Sequence, residues 1–157
     1  MKTIVIAFCI AVLAGAGAQQ TESTAWRGIT PFHSTRTDVE RLLGRASGNC
    51  NCQYDISGDH VRIDYSGNRC GKEKSEHWDL PPDTVLTITL HPQKQCPLTN
   101  FNLDTKVFQK TDDPELKGYA IYTSDSEGVE YYATNEGKVF MIIYFGSMKD
   151  RTALRCK

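Results

Sequence analysis

The stretch "GYAIYTSDSEGVEYYATNEGKVFMIIYF", Gly118 to Phe145, decides how the rest of the chain is read. β-Branched and aromatic residues fill three runs, roughly 119–124, 128–134 and 138–145, and Ser126-Glu127-Gly128 and Asn135-Glu136-Gly137 punctuate them as turns. The last run is apolar on both faces, which places it in the middle of a sheet.

Upstream, "TVLTITLH" at Thr84–His91 is a further strand, launched by Trp78 and the stiff Pro81-Pro82 pair, with Leu86, Ile88 and Leu90 on one face and Thr87 and Thr89 on the other. In "CQYDISGDHVRIDY", Cys52–Tyr65, a two-residue Gly58-Asp59 turn pairs Ile56 with Val61, Tyr54 with Ile63 and Cys52 with Tyr65. That register makes one face apolar and sets Asp55 across from Arg62 on the wet face. A short edge strand is expected near Lys106 to Gln109, and "SMKDRTALRCK" closes the chain as a turn or short helix.

Ahead of the strands stands "WRGITPFHSTRTDVERLLG", Trp26 to Gly44. Thr35 and Asp38 have capping-box spacing, Val39, Leu42 and Leu43 form one apolar stripe, and Gly44 supplies a left-handed stop. Two turns are far too few for an isolated helix, so this one must pack on the sheet. The expectation is an α+β domain over residues 26–157, a short N-terminal helix on an antiparallel sheet of about six strands, stabilised by disulfides.

Residues 1–18, "MKTIVIAFCIAVLAGAGA", read as a secretory signal peptide: one basic residue, a short apolar run and an A-x-A end. Residues 19–25 read as a flexible N-terminus. No run approaches the roughly 20 apolar residues of a membrane-spanning helix, so the expected location is the periplasm or the exterior. The removed segment carries Lys2 and no acid, so the formal net charge moves from −1 to −2. That balance lacks the basic footprint of a nucleic-acid or anionic-membrane binder.

Five cysteines remain after such cleavage: Cys50, Cys52, Cys70, Cys96 and Cys156. An oxidising compartment favours two disulfides and one thiol. The hairpin register brings Cys50 or Cys52 to Cys70, leaving Cys96 for Cys156 and the odd thiol in the C-x-C. A zinc site from Cys50, Cys52, Cys70, His77 and Cys96 is the competing use of these ligands, and the single-residue C-x-C spacing speaks against it. Cofactors are therefore expected to be none. Ser57, Asp59 and His60 crowd one turn and cannot spread into a triad. Asp55, Asp59 and Asp64 lack a calcium-loop pattern. Tyr122, Tyr131, Tyr132, Phe140 and Tyr144 read first as core and cross-strand packing, and second as a ligand pocket.

The motifs W-x-G-I-x-P-x-x-S-T-R-x-D-V-x-x-L-L-G at Trp26–Gly44, W-D-L-P-P-D-T-V at Trp78–Val85, E-G-V-E-Y at Glu127–Tyr131 and K-D-x-x-x-L-R-C at Lys149–Cys156 resemble a family of uncharacterised exported bacterial proteins. More distantly, S-T-R-T-D-V-E-R-L-L-G is similar to the opening of the small lipoprotein subunit of the outer-membrane β-barrel assembly machine and of related inhibitor-like domains. That likeness implies short helices on an antiparallel sheet and action by binding proteins; the lipoprotein cysteine is missing here. Cap and stripe leave Trp26, Arg27, Phe32, His33 and Arg41 without a structural task, and these form the candidate interface. The expected function is a non-catalytic exported protein acting on an unidentified protein partner. The alternatives are a metal- or thiol-dependent enzyme using Cys50, Cys52, Cys70 and His77, and a small-ligand binder.

Overall fold

Short β-forming runs separated by glycine turns give a sheet-dominated chain. The computed structural model describes residues 24–47, 52–73, 77–112 and 117–157; the expected signal peptide and Cys50 lie outside them. The elements are α1 (Arg36–Leu43), β1 (Gln53–Ile56), β2 (Asp59–Tyr65), β3 (Val85–His91), β4 (Cys96–Pro97), β5 (Gln109–Asp112), β6 (Tyr119–Ser124), β7 (Val129–Thr134), β8 (Lys138–Phe145) and α2 (Met148–Ala153). Among the described residues the strands form one antiparallel sheet in the order β1-β2-β3-β8-β7-β6-β5, with β4 also paired to β8. It has eight strands where about six were expected, and β8 is central as its two apolar faces require. No helix among these residues is long and apolar enough to cross a membrane.

Three local expectations need correction. First, the β1–β2 turn is Ser57-Gly58, both at positive φ (55° and 91°), so Ile56 pairs with Asp59, Tyr54 with Val61 and Asp55 with His60. A tight hairpin turn needs that backbone at both central positions, and glycine supplies the second without a steric cost. The slip is two residues, so the apolar face is preserved. Second, β5 starts at Gln109, because the Asp104 carbonyl accepts the amides of Val107 (2.9 Å) and Phe108 (2.8 Å) and holds the expected strand region in a turn. Third, Tyr65 pairs with Val85 while Asp64 pairs with Thr87, leaving Leu86 as a bulge residue on the opposite face from Ile88 and Leu90.

The inner face of the sheet carries the main core, with Val61, Ile63, Val85, Ile88, Val129 and Val139 fully buried. Helix α1 begins as its capping box dictates: the Asp38 amide donates to Thr35 Oγ1 (3.3 Å) and the Thr35 amide to Asp38 Oδ2 (3.0 Å). The Thr35 amide and hydroxyl, both donating to Asp38 Oδ2, and the Arg41 guanidinium hold the Asp38 carboxyl below its usual range. Of the helix stripe, Val39 is fully buried with Ile29 and Trp26, Leu43 is half-buried and Leu42 is 42% exposed. Leu42 was expected in the core; a two-turn helix seats only its middle on the sheet. Val39→Ala is therefore expected to cost about 2 kcal/mol and Leu42→Ala less than about 1 kcal/mol, read from urea unfolding midpoints. Equal losses would reverse the assignment of the buried face.

The cysteine pairing also differs from expectation. Cys70 is bonded to Cys156, with a Cα separation of 5.5 Å. The C-terminal segment docks along 77–79, where the Asp79 amide donates to Leu154 (2.7 Å) and the Cys156 amide to His77 (3.1 Å). This long-range pairing, outside any hairpin register, sets the partner of Cys70. Cys96, expected to bond Cys156, is a half-buried free thiol on β4 opposite Val139. Cys52 is disulfide-bonded, with its partner outside the described residues.

Candidate docking groove on the outer sheet face

The outer face of the sheet is not simply wet. Registers align Thr123, Glu130, Ile143, Thr89 and Arg62 across it, with Phe145 beside Thr87 in the row on one side and Met141, Tyr132 and Ile121 in the row on the other. These apolar and aromatic side chains are half-buried. They lie outward because β8 alternates Ile142 and Tyr144 inward with Met141, Ile143 and Phe145 outward.

At one end of this face the chain builds a wall. The segment before α1 pairs with β3 through the Phe32 amide to Val85 (2.7 Å) and the Val85 amide to Ser34 (2.8 Å). Phe32 lies against Gly146, where a Cβ would sit 2.8 Å from the ring, and meets Trp78 edge-on at 4.8 Å between centroids. The bulge turns Leu86 into the same cluster with Leu80. Helix α2 supplies the charge. Its N-cap Ser147, fully buried, accepts the Asp150 amide (3.2 Å), which fixes the helix against the end of β8. Arg151, one residue further on, lays its guanidinium 5.0 Å over the Phe145 ring and pairs with Asp125. Its Nε is buried and makes no hydrogen bond among the described residues. Glu130 faces the same space, accepting from the Tyr132 hydroxyl (3.1 Å) and the Thr123 hydroxyl (3.4 Å). The result is a groove of about 370 Å³ walled by Phe32, Trp78, Leu86, Ile143, Phe145 and Arg151.

The candidate interface of Trp26, Arg27, Phe32, His33 and Arg41 does not assemble as one surface. Trp26 (9% exposed) belongs to the inner core and Phe32 (6%) to the groove wall, so neither is a free recognition side chain. Arg27 is exposed, its guanidinium 5.5 Å over Trp26, and Arg41 is exposed and paired with Asp38 at 3.2 Å. His33 is exposed and 3.2 Å from Asp150 of α2, and of the five only Phe32 lines the groove. Trp78, Ile143, Phe145 and Arg151 were missed. The signal available for three of them was an outward apolar set on β8 and a tryptophan ahead of Pro81-Pro82.

The sulfurs of Cys52 and Cys70 are committed to disulfides, so neither is a thiolate ligand or nucleophile beside His77. Among the described residues no group of three or more His, Cys, Asp and Glu is placed to hold a metal. In the Ser57, Asp59 and His60 turn, Asp59 accepts the Gln93 amide (3.0 Å) and His60 faces Asp55 (3.2 Å). Tyr131 and Tyr144 are core, and burial raises the pKa of both phenols; Tyr122 is half-buried against the core, and Tyr132 and Phe140 meet on the outer face.

No protein-family model, curated protein or solved structure matches the chain.

Proposed function

We propose that the protein is a non-catalytic exported binding protein, acting in the periplasm or outside the cell, and that a partner protein docks in the outer-face groove. One observation carries this reading: Arg151 stacked on Phe145 beside Trp78, inside a concave, mainly apolar wall. Arginine and large aromatics at a desolvated concavity are where binding energy concentrates in protein interfaces. Half-buried Ile121, Tyr132 and Met141 extend the apolar surface outward from it, more than a solvated sheet face needs. The Cys70–Cys156 disulfide suits an oxidising compartment. The motif resemblance to exported bacterial proteins agrees with that location.

The test compares crosslinked capture from the source organism's envelope by the wild type and three variants. Ile143→Arg and Arg151→Ala are each expected to weaken capture of the same protein by about 2 kcal/mol or more, roughly thirtyfold. Arg41→Ala, on α1, is expected to capture normally. A partner that follows Arg41 and ignores Ile143 and Arg151 would move the interface to α1 and overturn the reading.

A further inference from the structure

A second concavity lies on the opposite side of the sheet. After β4 the chain makes one 3-10 turn, Leu98–Phe101, closed by Asn102 at φ 47°, and crosses the inner face to β5. Phe101 and Phe108 pack on Tyr131, at 4.6 and 5.8 Å between ring centroids, which anchors both ends of the crossing. Between these anchors and β6 remains a recess of about 430 Å³, walled by Leu98, Leu103, Phe108 and Tyr122, with Lys110 at its mouth. That volume falls in the usual range for small-molecule sites, about 300 to 1,000 Å³.

The charge at the mouth narrows the ligand. Lys110 stands across from Tyr122 in the β5–β6 register, its Nζ 6.0 Å from the ring centroid, and makes no ion pair with any described residue. Asp104, on the crossing, accepts the Lys106 amide at Oδ1 (2.9 Å). Asp112, two residues along on the same strand face, is exposed and also outside any ion pair with a described residue. An apolar body gains by leaving water for the Leu98, Leu103, Phe108 and Tyr122 walls. An anionic head at the rim meets the Lys110 ammonium while still solvated, so no charge has to be buried. Among the described residues Lys110 is the one charged side chain that lines the recess, and neither Asp104 nor Asp112 does. A cationic head seated there therefore meets a like charge first, and a molecule charged at both ends would have to desolvate one of them. We infer that this recess is a binding site for a small amphipathic carboxylate, one apolar chain or ring bearing a single anionic head. It lies on the face opposite the docking groove, so the two assignments stand or fall separately.

Decanoate, decanol and decyltrimethylammonium are the probes, titrated into the full folded protein and followed at the Leu103 and Lys110 amides by heteronuclear NMR. Decanoate is expected to saturate those shifts and to bind about tenfold more tightly than decyltrimethylammonium. Lys110→Glu should erase or invert that preference and leave decanol unchanged. Thr105→Trp, a substitution at the exposed rim, should weaken all three probes while leaving the unfolding midpoint in place. Absence of saturable shifts at these amides, equal binding of decanoate and decyltrimethylammonium to the wild type, or an unchanged preference in Lys110→Glu would each overturn the inference.

Discussion

Gly128→Ala is expected to cost about 3 kcal/mol or more, the largest effect of any single substitution considered. Gly128 sits at φ 67°, where an L-residue with a side chain is disfavoured by about 1 to 2 kcal/mol. A Cβ there would also stand 2.2 Å from the Phe145 carbonyl oxygen and 3.0 Å from the Ser147 amide nitrogen. Both neighbours are backbone, so relief requires moving the β6–β7 turn away from the junction of β8 and α2. That displacement pulls on the bond from the Phe145 amide to Gly128 (2.8 Å) and on the one from the Met148 amide to Asp125 (2.7 Å). Gly137→Ala is the control: its φ is 74°, yet nothing lies within 4 Å of its added carbon. It should lose only the conformational part, about 1 to 2 kcal/mol. Urea unfolding of the pair separates the terms, and equal losses would mean that close approach at Gly128 contributes nothing.

Removing the Cys70–Cys156 bridge should be nearly as damaging or more so. The bond closes a sequence separation of 86 residues, for which loss of denatured-chain entropy predicts roughly 4 to 5 kcal/mol, with measured cases usually about 2 to 5. The double variant Cys70→Ser/Cys156→Ser is the cleaner measurement, because reductant would also open the disulfide of Cys52. The variant should further loosen the C-terminal segment that frames the groove, since Trp78 and Arg155 form a bridge within it and the Arg155 guanidinium lies 5.8 Å over the Trp78 ring. Capture through Arg151 should therefore weaken while decanoate binding, on the other face, persists. A loss below about 1 kcal/mol would show that the backbone bonds at 77–79 hold the C-terminus without the bridge.

Much of the sheet could be read directly. The runs at 119–124, 128–134 and 138–145 match β6, β7 and β8 within a residue, and α1 spans the residues between its cap Thr35 and Gly44. The β1–β2 hairpin was legible in its faces and not in its register, because an even slip keeps every side chain on its side. Leu86 defeats such a reading: strict alternation puts it with Ile88 and Leu90, and only a bulge imposed by pairing with β2 turns it outward. Trp26 and Phe32 looked idle beside the helix stripe; their burial depends on the inner core and on Gly146, segments that no local pattern connects to them.

By itself the sequence determined the class, the helix and its cap, the three C-terminal strands and the central place of the last, because propensity, alternation and turn chemistry act over a few neighbouring residues. Only the tertiary structure decided which cysteines pair, which face Leu86 takes, and that Trp78, Ile143, Phe145 and Arg151 meet in one groove. Those outcomes rest on contacts between distant segments, whose free energy comes from burial and chain closure and leaves no periodic mark in the residues that make them.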